Sequence, residues 1–364
     1  MNAPTLLVTG AAGFIGSHTV IELLTAGFQI VGVDNFSNSD AKAVDRIQAL
    51  KTEVLDLRGV NFKFYKADVR DAKALEEIFK THVVHGVIHF AGLKAVGESF
   101  EQPLAYWENN VGGTMSLLKV MEAKSVKNFV FSSSALVYGQ PKIFPIHEND
   151  PVQAFSPYAQ TKLVSERMLE DFSKANKDWN ISLLRYFNPV GAHESGLIGE
   201  LPKGTPNNLM PYMTQVAAGL RERLSIFGAD YDTPDGTCIR DFIHVVDLAK
   251  GHVAAISAMM AEPDSFHHLA SESSYPNIKG LHTINFGTGH GTSVKELLET
   301  FMSVTSQNIN YEYVGRRQGD VPILCADVSK AKEFLGWEAK KGLDQMCSDA
   351  WKWQLNLKQT EVKA

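Results

Sequence analysis

Short apolar segments alternate with longer segments of helical periodicity through the first half of the chain. This alternation is typical of βα units, which build a parallel sheet with helices on both faces. The segments that we predict as strands are residues 6–9, 29–33, 60–65, 86–90, 128–131 and 181–186. Beyond residue 190 the strict alternation ends and turn-forming residues become more frequent.

The pattern therefore predicts an α/β fold with two domains. We expect residues 1–190 to form a doubly wound parallel sheet (a Rossmann domain) and residues 191–364 to form a smaller mixed α/β domain. Segments near 240–250 are expected to cross back to the first domain. In a sheet of this type, ligands bind at the carboxyl ends of the strands.

The first predicted strand ends in a glycine-rich turn that leads into a helix. Gly10, Gly13 and Gly16 let the backbone approach a pyrophosphate, whose charge lies at the helix N-terminus. The second strand ends in Asp34, where a carboxylate can accept hydrogen bonds from both hydroxyls of an adenosine ribose. Because a 2′-phosphate would meet that negative charge, the sequence predicts NAD rather than NADP.

A Tyr-x3-Lys pair supplies the candidate chemistry. Ser156 is predicted to cap a helix and Pro157 suits its first turn, so Tyr158 and Lys162 fall on one helical face. A phenol needs ~4 kcal/mol of stabilisation to act as a base near neutrality. An ammonium about 4 Å away supplies about that much at an effective dielectric near 20. The Tyr-x3-Lys spacing alone is common on helix surfaces. Here, however, Ser132–Ser134 directly follow strand 128–131, at the edge of the sheet where this helix is expected.

Composition excludes several classes of protein. The 35 basic and 41 acidic side chains give a formal net charge of −6 without a basic run, so we predict no nucleic-acid surface. Three cysteines without C-x-x-C spacing indicate neither a disulfide framework nor a zinc–thiolate site, and they favour a cytoplasmic protein. We also expect no secretory leader at residues 1–4 and no membrane span, because no apolar run reaches ~18 residues.

Two further patterns are interpreted as structural. His82, His85 and His89 straddle a predicted helix end and a strand, so they cannot share a face and no metal site is expected. Residues 287–291 are rich in glycine, but their spacing differs from that of the first turn. Ser293 and Glu296 explain them better, as a capping box at the entry to a helix.

The glycine turn, Ser134 and the Tyr158/Lys162 pair together resemble the extended short-chain dehydrogenase/reductase family. The similarity covers nearly the whole chain, and its most specific segments are residues 89–99, 184–193 and 206–212. The resemblance implies NAD-dependent, reversible epimerisation of UDP-galactose to UDP-glucose at C4 through a 4-keto intermediate. Ser134 and Tyr158 would be catalytic, while Lys162 would hold the cofactor ribose and lower the tyrosine pKa. A homodimer packed through helices near 104–124 and 156–176 is also implied.

The resemblance further implies two sets of binding residues. Those against NAD would be Gly10, Gly13, Phe14, Ile15, Gly16, Asp34, Asn35, Asp68, Val69, Phe90, Ala91, Lys94, Asn109, Ser132, Tyr158, Lys162 and Tyr186. Those against the UDP-sugar would be Lys94, Ser134, Tyr158, Asn188, Asn207, Asn208, Leu209, Phe227, Arg240, Arg317, Asp320 and Leu324. The residues alone also single out Arg240 and Arg317 as second-domain cations that can clamp a diphosphate.

The chain departs from the family pattern in places that bear on the substrate. Leu136 stands where threonine is common, Gln318 where glutamate is usual, and residues 262–281 are longer than expected, as in an inserted surface loop. Leu324 falls where the family controls the room beside the sugar 2-position, so we expect mainly glucose and galactose substrates. The alternatives are a UDP-GlcNAc/GalNAc or UDP-uronate 4-epimerase, a uronate decarboxylase, a nucleotide-sugar 4,6-dehydratase and a non-catalytic NAD-binding sensor or scaffold.

Overall fold

The computed structural model describes residues 3–57, 59–261, 277–317 and 319–362. Gln318 and most of the predicted insertion at 262–281 lie outside the described residues. The strands are Thr5–Thr9 (β1), Gln29–Asp34 (β2), Phe62–Lys66 (β3), Gly86–His89 (β4), Asn128–Ser134 (β5), Asn180–Tyr186 (β6), Asn188–Val190 (β7), Leu224–Phe227 (β8), Ile239–His244 (β9), Leu281–Phe286 (β10), Gly291–Ser293 (β11), Tyr311–Val314 (β12) and Ile323–Leu324 (β13). The α-helices are Phe14–Thr25 (α1), Lys42–Ala49 (α2), Ala72–Thr81 (α3), Val96–Glu101 (α4), Pro103–Tyr106 (α5), Gly113–Ala123 (α6), Pro157–Ala175 (α7), Leu209–Ala217 (α8), Val245–Met260 (α9), Val294–Thr305 (α10), Ser329–Leu335 (α11) and Leu343–Val362 (α12).

A seven-stranded parallel sheet forms the centre of the molecule, in the order β10-β6-β5-β4-β1-β2-β3. Successive side chains of a strand point to opposite faces of the sheet. Because helices cover both faces of this parallel sheet, a central strand is apolar on both. In β1, Leu6 and Val8 pack on the face covered by α1 and α9, whereas Leu7 packs on the face covered by α3, α6 and α7. The predicted doubly wound α/β fold is therefore confirmed.

Two features, one of this sheet and one of a helix that covers it, were not predicted. The seventh strand, β10, pairs with β6, although almost a hundred residues separate them in sequence. The helix predicted near 104–124 is broken, because residues Trp107–Gly112 form a π-helical segment between α5 and α6. Such a segment often occurs at a functional site. Here it turns the side chain of Asn110 toward the loop after β4, where it bonds the amide of Leu93 at 2.8 Å.

The second part of the chain builds small sheets around β9. Strands β7, β11 and β13 pair with β9, and β8 pairs with β12. Helices α8, α10 and α12 cover a separate apolar core that includes Met210, Leu297 and Met346. Helix α9 packs against α1 of the large sheet. The division into domains at residue 190, with segments near 240–250 crossing back, stays a prediction. Strand β10, which pairs with β6, was not part of that prediction.

The glycine-rich segment 287–291 binds an internal carboxylate. Asp241 is fully buried and accepts hydrogen bonds from the amides of Thr288 at 2.7 Å and Gly289 at 2.9 Å. The predicted capping box of Ser293 and Glu296 follows at the start of α10. Because the amides that would face a phosphate already face Asp241, this segment is a helix entry, as expected from its spacing.

Candidate active site

A cleft of about 760 Å³ opens where the carboxyl ends of the parallel strands meet loops of the second part of the chain. Most of the predicted site residues line it. They are Gly10, Gly13, Phe14, Ile15, Gly16, Asp34, Asn35, Val69, Phe90, Ala91, Lys94, Asn109, Ser132, Ser134, Tyr158, Lys162, Tyr186, Asn188, Asn208, Arg240, Arg317, Asp320 and Leu324.

Four predicted residues do not line the cleft: Asp68, Asn207, Leu209 and Phe227. Leu209 packs against the core of the second part, and the ring of Phe227 lies 4.2 Å below the guanidinium of Arg317. Asp68 binds the side chain of Asn35 at 2.9 Å. The structure therefore gives Phe227 and Asp68 a supporting position beneath residues that do face the cleft.

The glycine turn brings β1, α1 and the end of β4 within van der Waals contact. Gly10 has a φ of +68°, and a side chain there would begin 2.7 Å from the amide nitrogen of Ala91. A Cβ on Gly16 would lie only 2.1 Å from the carbonyl oxygen of Gly10. Gly13 caps α1 without a side chain, which leaves the first amides of the helix to face an anion. The turn therefore fits a dinucleotide pyrophosphate.

The carboxylate of Asp34 both shapes the turn and faces the cleft. Its protein donors are the amide of Ala12 at 3.0 Å, the amide of Phe36 at 2.8 Å and the hydroxyl of Ser39 at 2.8 Å. A carboxylate offers about four lone-pair sites, so it can accept further hydrogen bonds from a ribose. The sequence indicated only the ribose contact, because one donor to Asp34 lies 22 residues earlier in the glycine turn and the other two lie in the irregular loop that follows it.

Ser134, Tyr158 and Lys162 come together where β5 ends beneath the first turns of α7. Ser156 caps α7 as predicted, with its hydroxyl accepting from the amide of Ala159 at 3.1 Å. The hydroxyl of Ser134 accepts from the amide of Leu136 at 3.2 Å and lies close enough to Tyr158 to lower its pKa. Lys162 Nζ donates to the carbonyl oxygen of Ser132 at 2.6 Å. The pair predicted from the spacing therefore faces the serine strand.

The pKa of Tyr158 corrects one expectation. Burial raises it to about 12, and the nearby hydroxyl of Ser134 only partly opposes that rise. Burial lowers the pKa of Lys162 to about 8, against the attraction of Glu166. The expected lowering of the tyrosine pKa is therefore wrong for the protein alone, because the cost of removing the phenolate from water was not visible in the sequence.

Glu200, which the sequence did not single out, links two predicted binding residues across the cleft. Its carboxylate binds Lys94 Nζ at 2.8 Å and accepts from Asn208 Nδ2 at 2.7 Å. Trp353 of α12 donates to the backbone oxygen of Glu200 at 3.0 Å. No sequence pattern marks Glu200, since its partners are distant in the chain. The loop that carries it closes one side of the cleft.

Arg240 and Arg317 enter the same cleft from the second part, as their predicted role requires. Arg240 is anchored by the carbonyl oxygens of Ile239 at 2.9 Å and Val321 at 2.8 Å. Its other terminal nitrogen lies 3.6 Å from Asp320. Only part of the fork of donors on Arg240 is thus used by the protein, which leaves donors for an anionic ligand.

The three histidines that resemble a ligand set bind separate partners. These are the hydroxyl of Tyr65 for His82, the amide of Thr5 for His85, and the hydroxyls of Thr9 and Thr114 for His89. Within the ranges that the structure describes, no group of three or more metal-binding side chains occurs. Over those same ranges, no helix has the length and apolarity that crossing a bilayer requires.

The fold and the Ser–Tyr–Lys arrangement define an extended short-chain dehydrogenase/reductase, and comparisons place the chain more narrowly. The family model described as GDP-mannose 4,6 dehydratase matches residues 7–350. A UDP-glucose 4-epimerase from Bacillus subtilis (strain 168) is 49% identical over 349 residues, which are 96% of each chain. One from Dictyostelium discoideum is 51% identical over 349 residues, or 96% of this chain and 95% of the relative.

A solved structure gives the same result. A UDP-glucose 4-epimerase from Bifidobacterium longum, in complex with NAD+ and UDP, is 46% identical with a TM-score of 0.87, covering 97% of this chain and 98% of that one. The chain belongs to this family of UDP-glucose 4-epimerases.

Proposed function

We propose that this protein interconverts UDP-galactose and UDP-glucose by NAD-dependent epimerisation at C4. The observation that carries the proposal is that one cleft joins the dinucleotide-type turn, the Ser134–Tyr158–Lys162 group and two arginines from the second part. The relatives named above are called UDP-glucose 4-epimerases, and one was solved with NAD+ and UDP. Their similarity over nearly the full chain supports the same activity here.

Each group of site residues has a separate role in the proposed reaction. Arg240 and Arg317 would hold the diphosphate, while the sugar remains free to turn about its link to it. Tyr158, with the hydroxyl of Ser134 beside it, would take the proton of the sugar 4-hydroxyl and later return it. Lys162 would supply the positive charge that tyrosinate needs. Bound NAD supplies the acceptor and donor for the C4 hydride.

The GDP-mannose 4,6 dehydratase description of the matching family model raises a dehydratase as the competing activity. Expulsion of water from the sugar needs an acidic group near the catalytic serine. Ser134 is followed by Ala135 and Leu136. The described acidic residues that line the cleft include Glu200 and Asp320, and each lies within 4 Å of a basic side chain. The site therefore supports epimerisation better than dehydration.

The test is conversion of UDP-galactose by the purified wild-type protein without added NAD, with the products separated by chromatography. Rapid formation of UDP-glucose would support both the activity and a cofactor that is retained through purification. Absence of conversion even after NAD is added would contradict the glucose/galactose assignment. UDP-glucuronate and UDP-GlcNAc would then test the alternative epimerases, and inactivity on all of them would favour the NAD-binding sensor.

Leu324 should limit the site mainly to sugars without an N-acetyl group. It is 4% exposed on β13, opposite Arg240 in the pairing with β9, and it lines the cleft. We expect Leu324→Ala to raise the rate on UDP-GlcNAc relative to UDP-glucose by about tenfold, because a few apolar atoms decide discrimination of this size. Its neighbour Ile323 does not line the cleft, so Ile323→Ala is the control. Comparable wild-type rates on both sugars would contradict this assignment.

We further propose a cytoplasmic homodimer. On α4, α5 and α6, the side chains of Phe100, Leu104 and Met115 are 58%, 80% and 43% exposed. Aromatic residues and Met are enriched at protein interfaces relative to the rest of the surface. Three free cysteines are consistent with a reducing compartment. Sedimentation at micromolar concentration should show twice the chain mass of 40.1 kDa, and a species of that single mass would exclude the dimer.

A further inference from the structure

Helix α7 carries a third charged residue in line with the catalytic pair. Tyr158, Lys162 and Glu166 are spaced by four residues, which places them on one helical face. Glu166 lies deepest, with only 1% of its surface exposed. Arg185 of β6, itself 5% exposed, binds it through two parallel bonds, Nε at 3.0 Å and a terminal nitrogen at 2.7 Å. A buried, bidentate ion pair therefore lies directly beneath the candidate active site.

This pair fixes the register between α7 and the serine strand. Lys162 binds the backbone oxygen of Ser132, and one turn further along α7, Glu166 accepts a hydrogen bond from the hydroxyl of Ser133. Arg185 stands opposite Ser133 in the pairing of β5 with β6. Two successive residues of β5 are thus attached to two successive turns of α7. Ser134, the next residue along β5, is the one that contacts Tyr158.

The same guanidinium also holds the chain that follows Ser134. A terminal nitrogen of Arg185 donates to the hydroxyl of Tyr138 at 2.9 Å and to the backbone oxygen of Glu148 at 3.0 Å. Tyr138 ends the short 3₁₀ turn that begins directly after Ser134. Its hydroxyl donates in turn to Asn285 of β10 at 2.7 Å. Ser134 is therefore held from both sides by groups that converge on Arg185.

Stability alone does not account for this arrangement. A buried ion pair has a large desolvation cost, and well-packed apolar residues in its place are often neutral or stabilising. We propose that Glu166 and Arg185 are positioning residues for the epimerase reaction. They hold α7 over β5 so that Ser134, Tyr158 and Lys162 converge, and the carboxylate of Glu166 favours the ammonium form of Lys162. This inference rests on the proposed function.

Electrostatics around Lys162 supports the second part of the proposal. Lys162 interacts with Glu166 on its own helix and with His89 on β4, and Arg185 of β6 lies behind Glu166. Tyr158 and Tyr186 line the cleft together with Lys162. Burial, with a smaller effect of Lys162, lowers the pKa of His89 to about 3, so this ring is neutral at physiological pH. Burial raises the pKa of both tyrosines, which keeps them protonated in the protein alone. Among the described residues, Glu166 is therefore the anion that opposes the effect of burial on Lys162.

The first test compares Glu166→Gln with the double variant Glu166→Met/Arg185→Met in the full-length protein. We expect kcat for UDP-galactose to fall roughly tenfold to a hundredfold in both, because a small misplacement of reacting groups has effects of this size. KM should stay unchanged, since Arg240 and Arg317 are untouched. In Glu166→Gln, the alkaline limb of the kcat profile should move to lower pH, because Lys162 loses the anion that raises its pKa.

A purely structural pair predicts a different result. If the pair only stabilised the fold, a double variant with the Tm of wild type would also have the kcat of wild type. Glu166→Gln would then leave the alkaline limb in place. Either result overturns the proposal. Wild-type protein without epimerase activity would instead contradict the proposed function. As a matched control, Arg223→Met/Glu312→Met removes an exposed ion pair and should leave kcat unchanged.

A milder substitution keeps the proposal testable if those variants fail to fold. Ser133→Ala removes only the hydroxyl that binds Glu166, and Ser133→Thr restores a hydroxyl in the same place. We expect kcat to fall several-fold in the alanine variant and to recover in the threonine variant, with the Tm of both near that of wild type. An alanine variant with wild-type kcat would contradict the proposed role of this contact.

Discussion

Tyr158→Phe should lower kcat for UDP-galactose epimerisation by about 10²–10⁴-fold, the usual effect of removing a general acid–base group. The substitution removes the only atom of the side chain that can exchange a proton with the sugar. It leaves the ring packed at the start of α7. KM should change little, because the diphosphate contacts proposed for Arg240 and Arg317 remain. Initial rates at saturating UDP-galactose, with Tm measured in parallel, give the comparison.

Tyr65→Phe is the matched control for this substitution. It also removes one phenol that is partly buried, but its hydroxyl binds His82 at 2.8 Å, away from the cleft. We expect wild-type kcat in that variant. A Tyr158→Phe protein that stays within a few-fold of wild type would exclude Tyr158 as the proton-transfer group.

Gly16→Ala should abolish retention of the dinucleotide and destabilise the fold. The added Cβ would lie 2.1 Å from the backbone oxygen of Gly10, a contact that no side-chain rotation can relieve. Helix α1 must therefore move away from the turn that its N-terminus supports. We expect the free energy of unfolding to fall by ~1–3 kcal/mol, in the range typical of overpacked sites. Denaturant unfolding and chromatography of the cofactor released from purified protein measure the two effects.

Gly97→Ala is the control for backbone substitution. Gly97 lies in α4, and apart from its chain neighbours and the backbone of its own helix, no atom of the described residues comes within 4 Å of the position of its Cβ. Alanine also favours the helix over glycine. This variant should keep both the cofactor and the stability of wild type. If Gly16→Ala retained as much dinucleotide as Gly97→Ala, the turn could not be the pyrophosphate site.

The sequence predicted the parts of the site that depend on local patterns. The glycine turn, the cap at Ser156 and the spacing of Tyr158 and Lys162 are each contained in a few successive residues. Glu166 extends the same spacing by one turn, so the periodicity of α7 could have identified it. Its importance depends on Arg185, however, and only the pairing of β5 with β6 brings that residue opposite Ser133.

Other features were hidden because they arise from the assembled fold. Strand β10 joins the sheet through its pairing with β6, and nothing within its own residues indicates that partner. Glu200 reaches Lys94 across 106 residues of sequence. The rise in the pKa of Tyr158 comes from burial, which depends on how the chain packs around α7. These are long-range effects, and local residue patterns carry little information about them.

The contacts across the cleft bear on how the protein uses its cofactor. Besides the bond from Glu200 to Lys94, Lys203 Nζ reaches the backbone oxygen of Phe36, beside Asp34, at 2.6 Å. Glu200 and Lys203 belong to one loop between β7 and α8. Both contacts would have to break before a dinucleotide seated beneath this loop could leave. Its exchange with the cellular pool would then be slow compared with turnover. Epimerisation would thus proceed independently of the surrounding NADH/NAD ratio, as expected of a reaction that is redox-neutral overall.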